Sequence, residues 1–244
     1  MTADYYTRWL ADPEYRASRR QKADLIYAIC QSWLASARPV VDLGAGTGLI
    51  RKRLEELVGR PIIGFEIDPA FVEDPNRMAV ADLERLPLRD RSVTFGIANH
   101  VYEHVSDLDA FFTELARVLT QDGRVYMTAG NRYALVEPHY RVPTLAWWPE
   151  PVATRILRWS GRGERYADIK FTTHRRLGAA ANRHGLVLDD LTDRVLMTEI
   201  NRYTRRTGRL VGRVARSLPT APRRRALELL SPQWFFLVRH GNTS

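Results

Sequence analysis

Between residues 39 and 130, short apolar runs alternate with helix-length amphipathic segments. Parallel βαβ units produce this rhythm, and it excludes all-helical and all-strand architectures. Residues 39–43 read as a buried strand. Residues 49–58 read as a helix whose stripe of Ile50, Leu54, Leu57 and Val58 stops at Gly59. Residues 61–66, 78–81 and 93–98 read as strands two to four. Ser106 and Asp109 fit the N-cap and third position of a helix with apolar Phe111, Phe112, Leu115, Val118 and Leu119, ended by Gly123. Residues 124–128 supply strand five, 172–184 a helix capped by Gly185, 186–196 a sixth strand and 234–238 a closing one.

The rest of the chain is arranged around that core. Its 244 residues suit one domain, and 45% hydrophobic with 27% charged residues is a globular composition. Residues 1–38 are expected to form a helical cover and 39–244 the main domain. Within the latter, 131–171 would be a lid insertion and 199–230 a basic helical insertion. Cys30 stands alone, so neither an internal disulfide nor a cysteine zinc site is expected, and no metal is called for. The first twelve residues hold Asp4, Arg8 and Asp12 and no apolar core of a leader, so a cytoplasmic protein is expected. The 37 Lys and Arg exceed the 28 Asp and Glu by 37 − 28 = +9, but lysine occurs only at 22, 52 and 170. Such an arginine bias matches the composition of an arginine-rich proteome better than a nucleic-acid surface.

Gly44-Ala45-Gly46-Thr47-Gly48 joins the first strand to the first helix. Glycines belong there because the backbone turns sharply and lets a ligand approach. The third glycine comes one residue earlier than the dinucleotide pattern G-x-G-x-x-G requires. That tighter turn suits a ligand without phosphate, whose polar end meets the turn amides and whose positive charge is accepted near Asp42. S-adenosylmethionine is such a ligand. Glu66, ending the second strand, can accept from ribose hydroxyls. Asp82, ending the third, can accept from the adenine amine while Leu83 donates its main-chain N–H to the ring.

Residues 40–48, Glu66-Ile67-Asp68-Pro69, 81–88, Asn99-His100-Val101-Tyr102-Glu103-His104-Val105 and 115–124 closely resemble the class I S-adenosylmethionine-dependent methyltransferases, above all the small-molecule group labelled UbiE/UbiG-like. The resemblance implies a Rossmann-like, doubly wound α/β sheet of seven strands, mostly parallel with an antiparallel last strand. It places cofactor contacts at Asp42, Gly44, Ala45, Gly46, Gly48, Glu66, Ile67, Asp82, Leu83 and Asn99. Glu66 stands where the family more often has Asp, a longer acid still expected to reach the ribose.

Methyl transfer needs the acceptor positioned and water excluded. A hydroxyl acceptor also benefits from a base, for which histidine is suited. His100, after strand four, and His139, in the lid, are the candidates for that role; each reads equally well as an ordinary hydrogen-bonded histidine. His104 reads as a packing residue. Tyr140 and Trp147 are candidates for an apolar acceptor wall, and equally for lid core. The expected reaction is O-methylation of a small-molecule, glycan-like or lipid-linked acceptor. The alternatives are a nucleic-acid methyltransferase and a non-catalytic binder of the cofactor. Asn99-His100-Val101-Tyr102 lacks the Pro-Pro pair typical of enzymes that methylate base amines, which argues against nucleic acid. The Arg-rich stretch 202–225 reads first as a solvated basic face and second as a contact for an anionic membrane. Oligomeric state is not legible in the sequence.

Overall fold

The computed structural model describes residues 11–72, 74–137, 140–166, 169–196 and 217–241. Strands β1 (Val40–Leu43), β2 (Ile63–Glu66), β3 (Met78–Val80), β4 (Val93–Asn99), β5 (Leu119–Gly130), β6 (Leu186–Asp190) and β7 (Gln233–His240) form one seven-stranded sheet in the order β3-β2-β1-β4-β5-β7-β6. β1 pairs in parallel with β2 and β4, β2 with β3, and β4 with β5. β7 is antiparallel to both β5 and β6. The expected mostly parallel sheet with a reversed last strand is what the chain forms.

Alternation along the strands feeds two cores. On one face Val41, Leu43, Val125, Met127 and Phe236 pack under α3 (Leu108–Val118) and α5 (His174–Arg183), through Phe111, Phe112, Leu115, Leu177 and Ala181. On the other, Val40, Phe95, Ile97, Tyr126 and Phe235 pack under α1 (Pro13–Ser36) and α2 (Leu49–Val58), through Ala23, Ile26, Cys30, Leu34, Ile50 and Leu54. Asp42, between Val41 and Leu43, falls on the α1/α2 face, as do Asn99, Thr128 and Gln233 by the same alternation.

The segment after β5 builds a small core of its own. Val142, Leu145, Ala153, Leu157 and Tyr166 bury one another around α4 (Glu150–Trp159). Asn131 ties its root down: Nδ2 donates to the carbonyls of Leu229 (3.0 Å) and Ser231 (2.7 Å), joining this segment to the end of α6 (Thr220–Leu230).

Four local expectations give way. The helix expected to run to Gly123 ends at Val118, and β5 already begins at Leu119. The cap of α3 is Asp107, whose Oδ1 accepts from the N–H groups of Asp109 and Ala110, and not Ser106. β6 stops at Asp190, which accepts from Thr192 N–H and turns the chain into a helical segment, so residues 192–196 are not strand. His104 is exposed, not packed. Tyr5 to Trp9 of the expected cover, His139 of the lid and Arg202 to Arg216 of the basic insertion lie outside the described residues.

Candidate functional site

The order of strands reverses between β1 and β4, and ligands of open α/β sheets bind beyond the carboxyl ends at such a point. The turn leaving β1 is built for close approach. Gly44, Gly46 and Gly48 all have positive φ, at 71°, 52° and 66°. Gly44 and Ala45 donate their N–H groups to the carbonyl of Phe65, which pins the turn to β2. A Cβ on Gly44 would come within 2.8 Å of Val101, whereas one on Gly46 would meet nothing within 4 Å. The open side of the turn is therefore at Gly46.

Glu66 ends β2 against this turn. Its Oε2 accepts the Gly46 N–H at 2.8 Å, and Oε1 accepts those of Ile67 (2.9 Å) and Asp68 (3.2 Å). The extra methylene relative to Asp lets the carboxylate fold back onto the loop. Three of about four lone-pair sites of a carboxylate are thereby used.

Asp42 lies behind the turn, 3% exposed, and its Oδ2 has no hydrogen-bond partner. Burial pushes its carboxyl up to about 7, with Glu66 adding to the rise and Arg51 opposing it. Arg51, in the first turn of α2, is fully buried; it pairs with Glu55 at 2.9 Å and donates to the carbonyl of Ile62 at 3.3 Å. Its Nε and Nη2 have no hydrogen bond. Two carboxylates and one guanidinium thus share a low-dielectric pocket at the helix N-terminus, where each feels the others strongly.

Past β4 the backbone of His100 turns left-handed, with φ of 58°. Its Nδ1 lies 3.0 Å from Oε1 of Glu103 and its Nε2 2.9 Å from Oε1 of Gln233, so both ring nitrogens are engaged. Glu103 is fully buried, and its Oε2 lacks a partner. Burial alone would raise its pKa, but the hydrogen bond and charge of His100 outweigh that and hold it below the ordinary carboxylate value.

Beside this group is a cavity of about 210 Å³. α1 roofs it with Ser18, Gln21, Lys22 and Leu25. Asn99 of β4, Tyr126 and Thr128 of β5, and Gln233 and Phe235 of β7 form its floor, with Val195, Leu196, Ser231 and Pro232 at the side. Thr128 donates its hydroxyl to Oδ1 of Asn99 at 2.9 Å.

The sequence-predicted residues therefore separate. Asp42, Gly44, Ala45, Gly46, Gly48, Glu66 and Ile67 come together around one turn, with Asn99 and His100 at the end of β4 on the cavity side. Asp82 is exposed at the end of β3, holding the N–H of Glu84 at 2.9 Å, and Leu83 is buried behind it. Tyr140 packs against Tyr166 of the small core after β5, ring centroids 5.9 Å apart and tilted by 59°, and Trp147 is half-exposed with Nε1 donating to the carbonyl of Ala134. Neither lines the cavity. Lys22, Arg51, Thr128 and Gln233 had no place in the sequence reading. The scarcity of lysine was the one visible hint at Lys22; a basic residue in a helix's first turn and a glutamine opening a strand carry no signal.

Comparison with known proteins agrees with the strand-end geometry. The sequence pattern of the family described as "Methyltransferase domain" matches residues 41–127. A malonyl-[acyl-carrier protein] O-methyltransferase of Coxiella burnetii is 32% identical over 102 residues, 41% of this chain and 36% of the relative. A ubiquinone/menaquinone biosynthesis C-methyltransferase of Acidiphilium cryptum is 33% identical over 122 residues, 42% of this chain and 47% of the relative. The chain thus spans less than half the length of these two relatives. A crystal structure of a sarcosine dimethylglycine methyltransferase from Galdieria sulphuraria, so described provisionally, superposes with a TM-score of 0.56 at 17% identity, over 96% of this chain and 91% of the other. With β1 to β5 in their expected order and the acids in register at the strand ends, residues 41–127 are a class I S-adenosylmethionine-dependent methyltransferase domain.

Proposed function

We propose that the whole chain moves the methyl group of S-adenosylmethionine to an oxygen of a small-molecule acceptor seated in the cavity beneath α1. The observation that carries this reading is a set of polar residues at the carboxyl ends of neighbouring strands on a single sheet face. They extend from the open turn at Gly46 and buried Asp42 to Asn99, Thr128 and Gln233 at the cavity floor.

The residues fit the donor. Asp42 Oδ2 is a buried acceptor without a partner, suited to a cationic ligand that would hold the carboxylate charged. Glu66 keeps a lone-pair site for a ribose hydroxyl, and the open side of Gly46 admits the amino-acid end. Gly44, Ala45 and Gly48 shape that turn, Ile67 flanks the ribose, and Asp82 with Leu83 takes the adenine. When bound, the donor supplies a methyl group already activated by the sulfonium. The chain itself then orients the acceptor and keeps water out. Asn99, Thr128 and Gln233 offer hydrogen bonds to an acceptor oxygen, while Leu25, Tyr126, Val195 and Phe235 clothe its apolar part. His100, held from both sides, fixes the side chain of Gln233 at the cavity floor. His139, outside the described residues, is kept as a candidate acceptor contact: His139→Ala should lower turnover with donor affinity unchanged. The O-methyltransferase among the relatives supports oxygen as the target; the C-methyltransferase shows why the cavity and not the family must decide it.

Calorimetric titration with S-adenosylmethionine, followed by transfer of a radiolabelled methyl group into a metabolite extract, tRNA and DNA, tests this reading. Donor binding with label in small molecules is expected. No binding, or label entering tRNA or DNA, overturns it.

A further inference from the structure

The α1 roof of the cavity carries one cationic side chain, Lys22. It is partly buried and lines the cavity wall. Among the described residues its ammonium has no hydrogen-bond or ion-pair partner. An ammonium that is partly withdrawn from water with no carboxylate paired to it is drawn toward its neutral form. Burial, helped by Arg19 one turn earlier on α1 and opposed by Glu103, lowers its pKa to about 7. Exposed Arg194 flanks Val195 on the side wall. The other walls offer only neutral groups: Ser18, Gln21, Asn99, Thr128, Ser231 and Gln233.

A free amine at neutral pH, enclosed with hydrogen-bonding neighbours and an apolar wall, is a base waiting for a weakly acidic proton. The size agrees with a one-ring molecule: a dry cavity of ~150 Å³ holds benzene, and this one measures about 210 Å³. A ring between Leu25, Tyr126 and Phe235 would leave its polar substituent to the Lys22 end.

Building on the methyl-transfer reading, we propose that the acceptor is a compact phenol or enol and that Lys22 is the catalytic residue that takes its hydroxyl proton. The O–H bond breaks, the proton joins the lone pair of Nζ, and the oxygen keeps the bonding electrons. A neutral amine and a neutral hydroxyl become an ammonium paired with an oxyanion, which is the nucleophile methyl transfer requires. A carboxylic acid would arrive already ionised and would have no use for a base tuned in this way.

The test uses the full chain saturated with S-adenosylhomocysteine and 4-nitrophenol as the probe, whose phenolate is read by its visible absorption. At mildly acidic pH, where the free probe is mainly protonated, the wild type should bind it as phenolate. Lys22→Met should weaken binding about 10- to 150-fold, the range of a charge-assisted hydrogen bond, and abolish the phenolate band. Lys22→Arg, a permanent cation, should still bind the phenolate, but with S-adenosylmethionine in place of the product its rate of 4-nitrophenol methylation should no longer rise through neutral pH. Benzoate should bind wild type and Lys22→Arg alike. Equal phenolate binding by Lys22→Met, or no binding of the probe by wild type that binds S-adenosylhomocysteine, overturns the proposal and leaves the methyltransferase reading standing. Failure of S-adenosylhomocysteine itself to bind overturns that reading first. Calorimetry with S-adenosylhomocysteine and a thermal melt on each variant separate loss of the base from loss of the fold.

Discussion

The main-chain N–H of Gly46 donates to Oε2 of Glu66 at 2.8 Å, so the side chain ending β2 fastens the turn that leaves β1. One carboxylate is thereby both a brace for the ligand loop and a candidate partner of the ligand. Glu66→Ala removes both at once. Affinity for S-adenosylmethionine should fall by about 1.5–3 kcal/mol, measured by calorimetry, while the melting temperature drops only slightly. An unchanged dissociation constant would exclude Glu66 from the ribose contact.

Asp42 gives a prediction with a definite sign. Its folded pKa of about 7 lies above the ordinary 3.8, so the folded protein holds a proton that the unfolded chain releases. Its contribution to stability is present below pH 3.8 and lost as the pH rises through about 7. Asp42→Asn, neutral throughout, should therefore melt higher than wild type at mildly alkaline pH without ligand, by roughly 2–4 kcal/mol of stability, and the difference should vanish in acid. The same variant should bind S-adenosylmethionine more weakly, because the charge that suits a sulfonium is gone.

The two glycines of the turn should separate folding from binding. Gly44→Ala places a methyl group 2.8 Å from Val101 at a φ of 71°, and it should cost stability by more than the ~1–2 kcal/mol of left-handed strain alone. Gly46→Ala meets no neighbour, so its stability loss should stay near that strain. Donor affinity should nevertheless fall, because the added methyl group occupies the open side. Chemical denaturation and calorimetry on the pair check both halves.

Glu103 holds His100 from a fully buried position. Since its folded pKa is depressed below 4.5, its stabilisation is present above that pH and is lost as the pH falls through the lowered value. Glu103→Gln should cost about 1–3 kcal/mol at neutral pH. It should also flatten the acid limb of the stability curve, as followed by urea unfolding at several pH values.

Much of this was readable from the chain because local and tertiary preferences agree. The helix at Leu49–Val58 was delimited to the residue, since its stripe and the glycines on either side state both ends. The acids at 42 and 66 were found because strand-end chemistry sits at a fixed distance from a Gly-rich turn. The failures are equally physical. Residues 191–196 keep the apolar Leu191, Val195 and Leu196 after the strand has ended, because Leu191 and Val195 still pack on the α1/α2 core, now from a helical segment. Ser106 and Asp107 are both good caps, and only the hydrogen bonds of Asp107 choose between them. Lys22 and Gln233 were invisible because the cavity they line is made by elements more than two hundred residues apart, and no period or spacing encodes that meeting.

The reversed direction of β7 has a consequence for biosynthesis. Because it enters the sheet head-first beside β5, it brings Gln233 and Phe235 to the edge where the other strands finish. On the proposed reading, a nascent polypeptide would complete the turn and strand ends around Gly46 and Glu66 while the cavity still lacked the wall that Gln233 and Phe235 supply. Early on the ribosome it would be a holder of cofactor, and only the late arrival of Gln233–His240 would give it somewhere to send the carbon.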